Sequence, residues 1–257
     1  MTIATAFWRA LSVIFVIVLL SPLALVVIFA FSEKALSSFP ITALSLRWWQ
    51  AMIDFPTFWP AFTNSLIIGG AVGLLATVIG TLAALGLAAM PPRRAQAITA
   101  LLALPLMLPP LFLGIVLLVW YLFLGIQLGL VTVVLSHLLF ALPFVVIVVF
   151  ARLASFDMRI IEAARDLGAS PARAFFTVTL PVIQPVVVGA GLMAVALSID
   201  DFILTSFTIG GGNTLPILVM STLRTSVTPM TNAIGTLLII LSTASTLGAL
   251  VLTRYRG

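Results

Sequence analysis

ALSVIFVIVLLSPLALVVIFAF, residues 10–31, decides how the rest of the chain is read. Its 22 residues carry no charge and no polar–apolar alternation. A helix of that length is about 33 Å long, enough to cross about 30 Å of hydrocarbon. The run exceeds the apolar core of a secretory leader, and no small-x-small cleavage site follows it. It is therefore predicted to be a retained first membrane span.

The remainder of the chain repeats the pattern. Hydrophobic residues make up 62% and charged residues 7%, and the mean hydropathy is +1.31. Continuous apolar runs predict spans near 10–31, 63–89, 98–124, 131–150, 183–207 and 231–253. The fold class is an all-α membrane protein of six transmembrane helices, with residues 1–257 as one domain. Continuous runs favour helices over a barrel, whose strands would alternate. There is no cysteine, which excludes a disulfide framework and thiolate chemistry. The pI near 11.1 does not indicate nucleic-acid binding, because the arginines are scattered among hydrophobic runs and record topology instead.

With the N-terminus inside, nine basic residues are cytoplasmic: Arg9, Arg93, Arg94, Arg152, Arg159, Arg165, Arg173, Arg254 and Arg256. Only Lys34, Arg47 and Arg224 are then outside. The positive-inside rule predicts N-in and C-in. Residues 32–62 become an external loop whose Trp48, Trp49, Phe55, Phe58 and Trp59 suit either a short helix in the headgroup layer or packing on the bundle top. The long stretch 151–182 becomes a cytoplasmic loop.

That loop gathers the charge. Arg152, Asp157, Arg159, Glu162, Arg165, Asp166 and Arg173 lie within 22 residues. Ser155 or Asp157 can cap a helix, with Ile160, Ile161, Ala164 and Leu167 on one face. Gly168 is placed to end it in the left-handed conformation. Ser170-Pro171 opens a second helix, and Leu180-Pro181 is expected to stop that helix before the fifth span. Small Ala163, Ala164 and Gly168 would admit a partner's surface closely, although a capped interhelical loop needs no partner.

Glu162-Ala163-Ala164, three residues, Gly168, nine residues, then Val178-Thr179-Leu180-Pro181 resembles the EAA motif of bacterial ATP-binding-cassette importer permeases, with Val178 where isoleucine is usual. The resemblance extends to Asn64-Ser65-Leu66 ahead of Gly80, Ala83 and Ala84. Arg152 to Asp157, Ser198 to Phe202, Leu215-Pro216, Val227-Thr228-Pro229 and Asn232-Ala233 are similar to polyamine-type permeases, closest to the second permease of spermidine/putrescine importers. The resemblance implies the type I importer permease fold in a bacterial inner membrane. It implies an ATPase-coupling role for Glu162, Ala163, Ala164, Arg165, Asp166 and Gly168. The implied partners are an ATPase dimer carrying ATP and Mg, a second homologous permease, and an external substrate-binding protein. The implied function is uptake of polyamines by alternating access, with another small amine or an opine as the alternative solute.

No nucleotide chemistry is expected in the chain itself. Lys34 is the only lysine, and no glycine-rich turn precedes it; Gly210-Gly211-Gly212 has no lysine after it. His137, the sole histidine, adjoins Ser136, so the two side chains diverge on a helix. It is read chiefly as a packing residue, and an intramembrane protease is a weak alternative. One histidine and no cysteine give no metal site. A gradient-driven transporter would need midplane charges and internal repeats, and neither is evident.

Asp200 and Asp201 fall about 26 Å along the fifth span. Neighbours on a helix point about 100° apart. Either at least one faces a central path and meets a cationic substrate, or the pair marks the end of the span. Trp120 and Tyr121 either offer aromatic faces to an ammonium group or pack. Prolines 105, 109, 110, 143, 181 and 185 are expected to bend or break helices.

Overall fold

A computed structural model describes residues 3–155, 157, 159–225 and 228–254. Arg256 of the topology argument, and Phe156 and Val227 of the polyamine-type motifs, lie outside the described residues. The described chain is helical, with β pairing limited to an isolated Ser32–Leu44 bridge. Among the described residues, five helices are long and apolar enough to span a membrane.

The chain divides into two compact units. The first comprises residues 1–59 and 218–239. It holds α1 (Ile3–Phe29), α2 (Arg47–Ile53) and parts of α12 (Leu215–Thr225) and α13 (Pro229–Arg254). The apolar α1 is almost wholly exposed, as expected of a surface that meets lipid or another helix. The aromatic loop does form a short helix, α2. Arg47 lies 4.5 Å over the Trp48 ring, and Phe31 packs on Trp49 at 5.4 Å. Asn232 Nδ2 donates to Ser37 Oγ at 2.7 Å.

The second unit comprises residues 60–217 and 240–257. α7 (Leu130–Ala154) and α10 (Leu180–Ile199) form its centre, and residues 68–84 of α3 (Phe58–Ala88) share their core. Val72, Ala76, Ala84, Val145, Val149 and Ile183 make a fully enclosed core. Small residues set the spacing. A Cβ on Gly80 would stand 2.8 Å from Val145 Cγ1, so only glycine lets α3 approach α7 this closely.

The third predicted span is not one helix. Residues 98–124 break into the end of α4 (Pro92–Leu102), α5 (Leu104–Met107) and α6 (Pro110–Phe123). Leu108 and Pro109 are extended, with ψ of 136° and 131°. Each precedes a proline, whose ring disfavours helical geometry in the residue before it. The turn after α6 is tight: Gly125 has φ +65°, and Ile126 N donates to Tyr121 O at 2.9 Å.

The fifth span is also shifted. α9 (Pro171–Ala174) runs through a π-helical turn, Phe175–Thr179, directly into α10. Leu180-Pro181 therefore does not stop the helix. The wider π turn just before Pro181 carries the helical backbone past a residue that has no N–H to donate. The helix ends at Ile199, and a separate α11 (Ile203–Thr208) follows the aspartates instead of a span continuing to 207.

Candidate functional site

Two places carry the chemistry. The first is the charged loop. α8 (Arg159–Asp166) starts where Asp157 accepts the Arg159 backbone N–H at 3.1 Å. Ser155 donates to Arg152 O instead. The Arg159 guanidinium also binds the Asp157 carboxylate and holds its pKa below the usual aspartate range. At the other end Gly168 has φ +88°. Its N–H reaches Arg165 O at 2.9 Å, and Ala169 N reaches Ala164 O at 3.1 Å. These two bonds are the Schellman closure. Ser170 Oγ then accepts from Arg173 N to open α9.

The expected apolar face is split. Ile161 and Ala164 are half-buried, but Ile160 is 50% and Leu167 90% exposed. Leu167 caps the C-terminus of α8, its N–H still bonded to Ala163 O at 3.1 Å, with its side chain left bare. Glu162, Arg165, Asp166, Ala169 and Pro171 line a polar hollow of about 360 Å³. Ala163 is exposed beside them. The loop thus presents an open polar notch next to bare leucine and isoleucine, a surface suited to a protein partner.

The second place is the corner between α10 and α11. Asp200 and Asp201 part there. Asp200 Oδ1 accepts from Ser242 Oγ on α13 at 2.5 Å. Asp201 turns inward, with its side chain 14% exposed. Its Oδ2 accepts the Thr205 N–H at 2.9 Å and lies 3.2 Å from Thr205 Oγ1. His137 Nε2 also stands 3.2 Å from Oδ2. Asp201 therefore caps α11 as well as pairing with the imidazole.

Asp201 also lines a cavity of about 220 Å³ whose walls include Pro105, Leu106, Leu108, Pro110, Leu113 and Leu204. The proline break of the third stretch supplies most of one wall. The result is an apolar slot with a single carboxylate. Neither Trp120 nor Tyr121 lines it. Tyr121 is buried, its hydroxyl 3.1 Å from Ser136 Oγ and 3.3 Å from Thr132 O. Trp120 is 54% exposed and stacks on Phe123.

His137 is buried and satisfied, as its reading as a packing residue expects, but the sequence did not name the partners that satisfy it. Its Nδ1 is 2.8 Å from Ser198 Oγ, and its Nε2 is 3.0 Å from Thr205 Oγ1. Ser136 turns the other way, to Tyr121, so no serine–histidine pair forms between these neighbours. The available signal was an ionisable group in the middle of an apolar run, which usually faces an interior. Another missed feature is the clamp at the start of α12. Asn64 Nδ2 donates to Asn213 O at 2.8 Å, and Ser65 Oγ accepts from Leu215 N at 2.9 Å.

A family model described as "Binding-protein-dependent transport system inner membrane component" matches residues 76–255. The chain belongs to that family. This inner membrane component is 35% identical over 211 residues to the spermidine/putrescine transport system permease protein PotC of Haemophilus influenzae, covering 82% of each chain. It is 33% identical over 229 residues to the putrescine transport system permease protein PotI of Escherichia coli K12, covering 86% of this chain and 81% of that one.

Its fold matches a chain of a bacterial alginate ABC transporter solved with an alginate-pentasaccharide-bound periplasmic protein. The TM-score is 0.73 at 15% identity, over 98% of this chain and 92% of that one. A chain of the inward-facing MetNI methionine ABC transporter matches with TM-score 0.64 at 20% identity, over 79% and 99%. The likeness is one of fold, that of ABC transporter permeases. The protein is a multi-pass inner membrane permease subunit, a transport component and not the subunit that hydrolyses ATP.

Proposed function

We propose that this permease subunit moves polyamines, or closely similar linear amines, into the cytoplasm. The single observation that carries the reading is Asp201, a carboxylate set in an apolar slot. A protonated amine on an alkyl chain matches that pairing: the carboxylate meets the ammonium and the walls meet the methylenes. The named functions of PotC and PotI relatives support the same substrate class. Asp200, already bound to Ser242, shapes the corner, and Trp120 and Tyr121 serve packing and the outer surface.

The proposed assembly has this chain paired with a second, different permease on two ATPase subunits, fed by an external binding protein. The N- and C-termini and the 151–182 loop are cytoplasmic. ATP and Mg bind the partner ATPases. ATP-driven closure of those subunits draws the Glu162 to Gly168 segments together and opens the path outward; hydrolysis resets it. The exposed Leu167 and the notch at Glu162, Arg165 and Asp166 support this docking role.

The test is ATP hydrolysis by the reconstituted complex with its binding protein. Spermidine, putrescine, γ-aminobutyrate and a sugar are presented in turn. Stimulation by the two polyamines alone is expected. Stimulation by the sugar or by the zwitterion alone would discard the cationic-substrate reading.

A further inference from the structure

We propose that His137 is a positioning residue for substrate passage, holding Asp201 so that one carboxylate oxygen is fixed inside the protein and the other is left for an alkylammonium group. The inference rests on the reading that Asp201 meets the cationic substrate.

The geometry is that of a strut. His137 projects from α7 and is 1% exposed. Its partners lie on both sides of the α10–α11 corner: Ser198 in the last turn of α10, Asp201 just past it, and Thr205 on α11. An ionised carboxylate only accepts hydrogen bonds, so the network assigns a proton to Nε2. Among the described residues, the hydrogen bonds to the Asp201 side chain come from Thr205 N and Oγ1 and fall on Oδ2, and His137 Nε2, bonded to the same Thr205 hydroxyl, stands 3.2 Å from that oxygen. Oδ1 is thereby left for a ligand in the cavity that Asp201 lines.

The space enclosed by Ser65, His137, Ser198, Asp201, Thr205 and Thr214 has no room for a water molecule. While the imidazole is in place Oδ2 is therefore met by protein groups alone, and removing the ring takes away its neighbour on the α7 side in a setting where polar contacts count most. The Thr205 N–H and hydroxyl would still hold Oδ2, but without the imidazole against it the carboxylate has one restraint fewer, and the distance between acceptor and slot is less tightly fixed.

A space-filling role and a positioning role differ in what can replace the ring. Glutamine carries an amide donor near the place of Nε2. Asparagine is too short to reach Asp201, and leucine fills space without donating. Putrescine uptake into proteoliposomes is measured with the whole complex and its binding protein, at matched amounts of assembled complex. Uptake should fall at least about tenfold for His137→Leu and for His137→Asn, and stay within about threefold for His137→Gln. If His137 acts through Asp201, adding His137→Leu to Asp201→Asn should lower uptake by less than about twofold more.

Wild-type uptake in His137→Leu, equal uptake in the Gln and Asn variants, or effects that multiply in the double variant would each overturn the inference. Where His137→Leu does not assemble, the Gln and Asn pair decides. Loss in Asp201→Asn without loss in the His137 variants removes this inference alone. Wild-type uptake in Asp201→Asn removes the reading of Asp201 beneath it.

Discussion

Asp201 keeps Oδ2 against Thr205 and His137 while lining an apolar cavity; Asp200 commits Oδ1 to Ser242. The two carboxylates should therefore respond differently to neutralisation. Asn at position 200 still offers an oxygen to Ser242, so the corner survives. Asn at position 201 removes the charge that an ammonium would meet. Uptake is expected to fall at least about tenfold in Asp201→Asn and by a smaller factor in Asp200→Asn. Transport rates at equal protein levels check this, and a larger loss at Asp200 would reverse the assignment. At this scale the sequence disclosed the acidic pair and its divergence, because adjacent helical residues point apart. It did not disclose which carboxylate turns inward, since that depends on His137, 64 positions earlier in the chain, and on where α10 ends.

At the scale of elements, local chemistry was legible wherever neighbouring residues alone determine the backbone. Gly168 closes α8 and Ser170 opens α9 because each needs only a few flanking groups. Proline was legible as a breaker at 109 and 110 but not at 181, where the expected stop does not occur. Leu108-Pro109-Pro110 breaks the third stretch, whereas Leu180-Pro181 passes through a helix because a π turn precedes it. Gly168 offers the sharpest test. A Cβ at φ +88° costs about 1–2 kcal/mol, which would loosen the Schellman turn while leaving the buried α7–α10 core alone. Gly168→Ala should lower uptake severalfold and raise the ATP hydrolysed per molecule transported, with helix content unchanged by circular dichroism. Normal coupling in both Gly168→Ala and Gly168→Asp would remove this turn from the docking role.

For the whole molecule, fold class was readable because bilayer thickness sets the length of apolar runs, and a sequence shows that length directly. Side assignment draws on different information, the distribution of arginine and lysine. The charged loop around Leu167 and the glycine turn at Gly211 lie on opposite sides in the N-in, C-in arrangement. The absence of cysteine makes this directly measurable, since any introduced thiol is unique. Leu167 is 90% exposed and Gly211 is exposed in its turn, so both accept cysteine without disturbing a core. In spheroplasts, a membrane-impermeant thiol reagent should label Gly211→Cys and spare Leu167→Cys. In inverted membrane vesicles the pattern should exchange. Labelling of Leu167→Cys in intact spheroplasts would turn the molecule over in the membrane. That result would separate the Glu162 to Gly168 segment from any cytoplasmic ATPase and withdraw the docking mechanism with it.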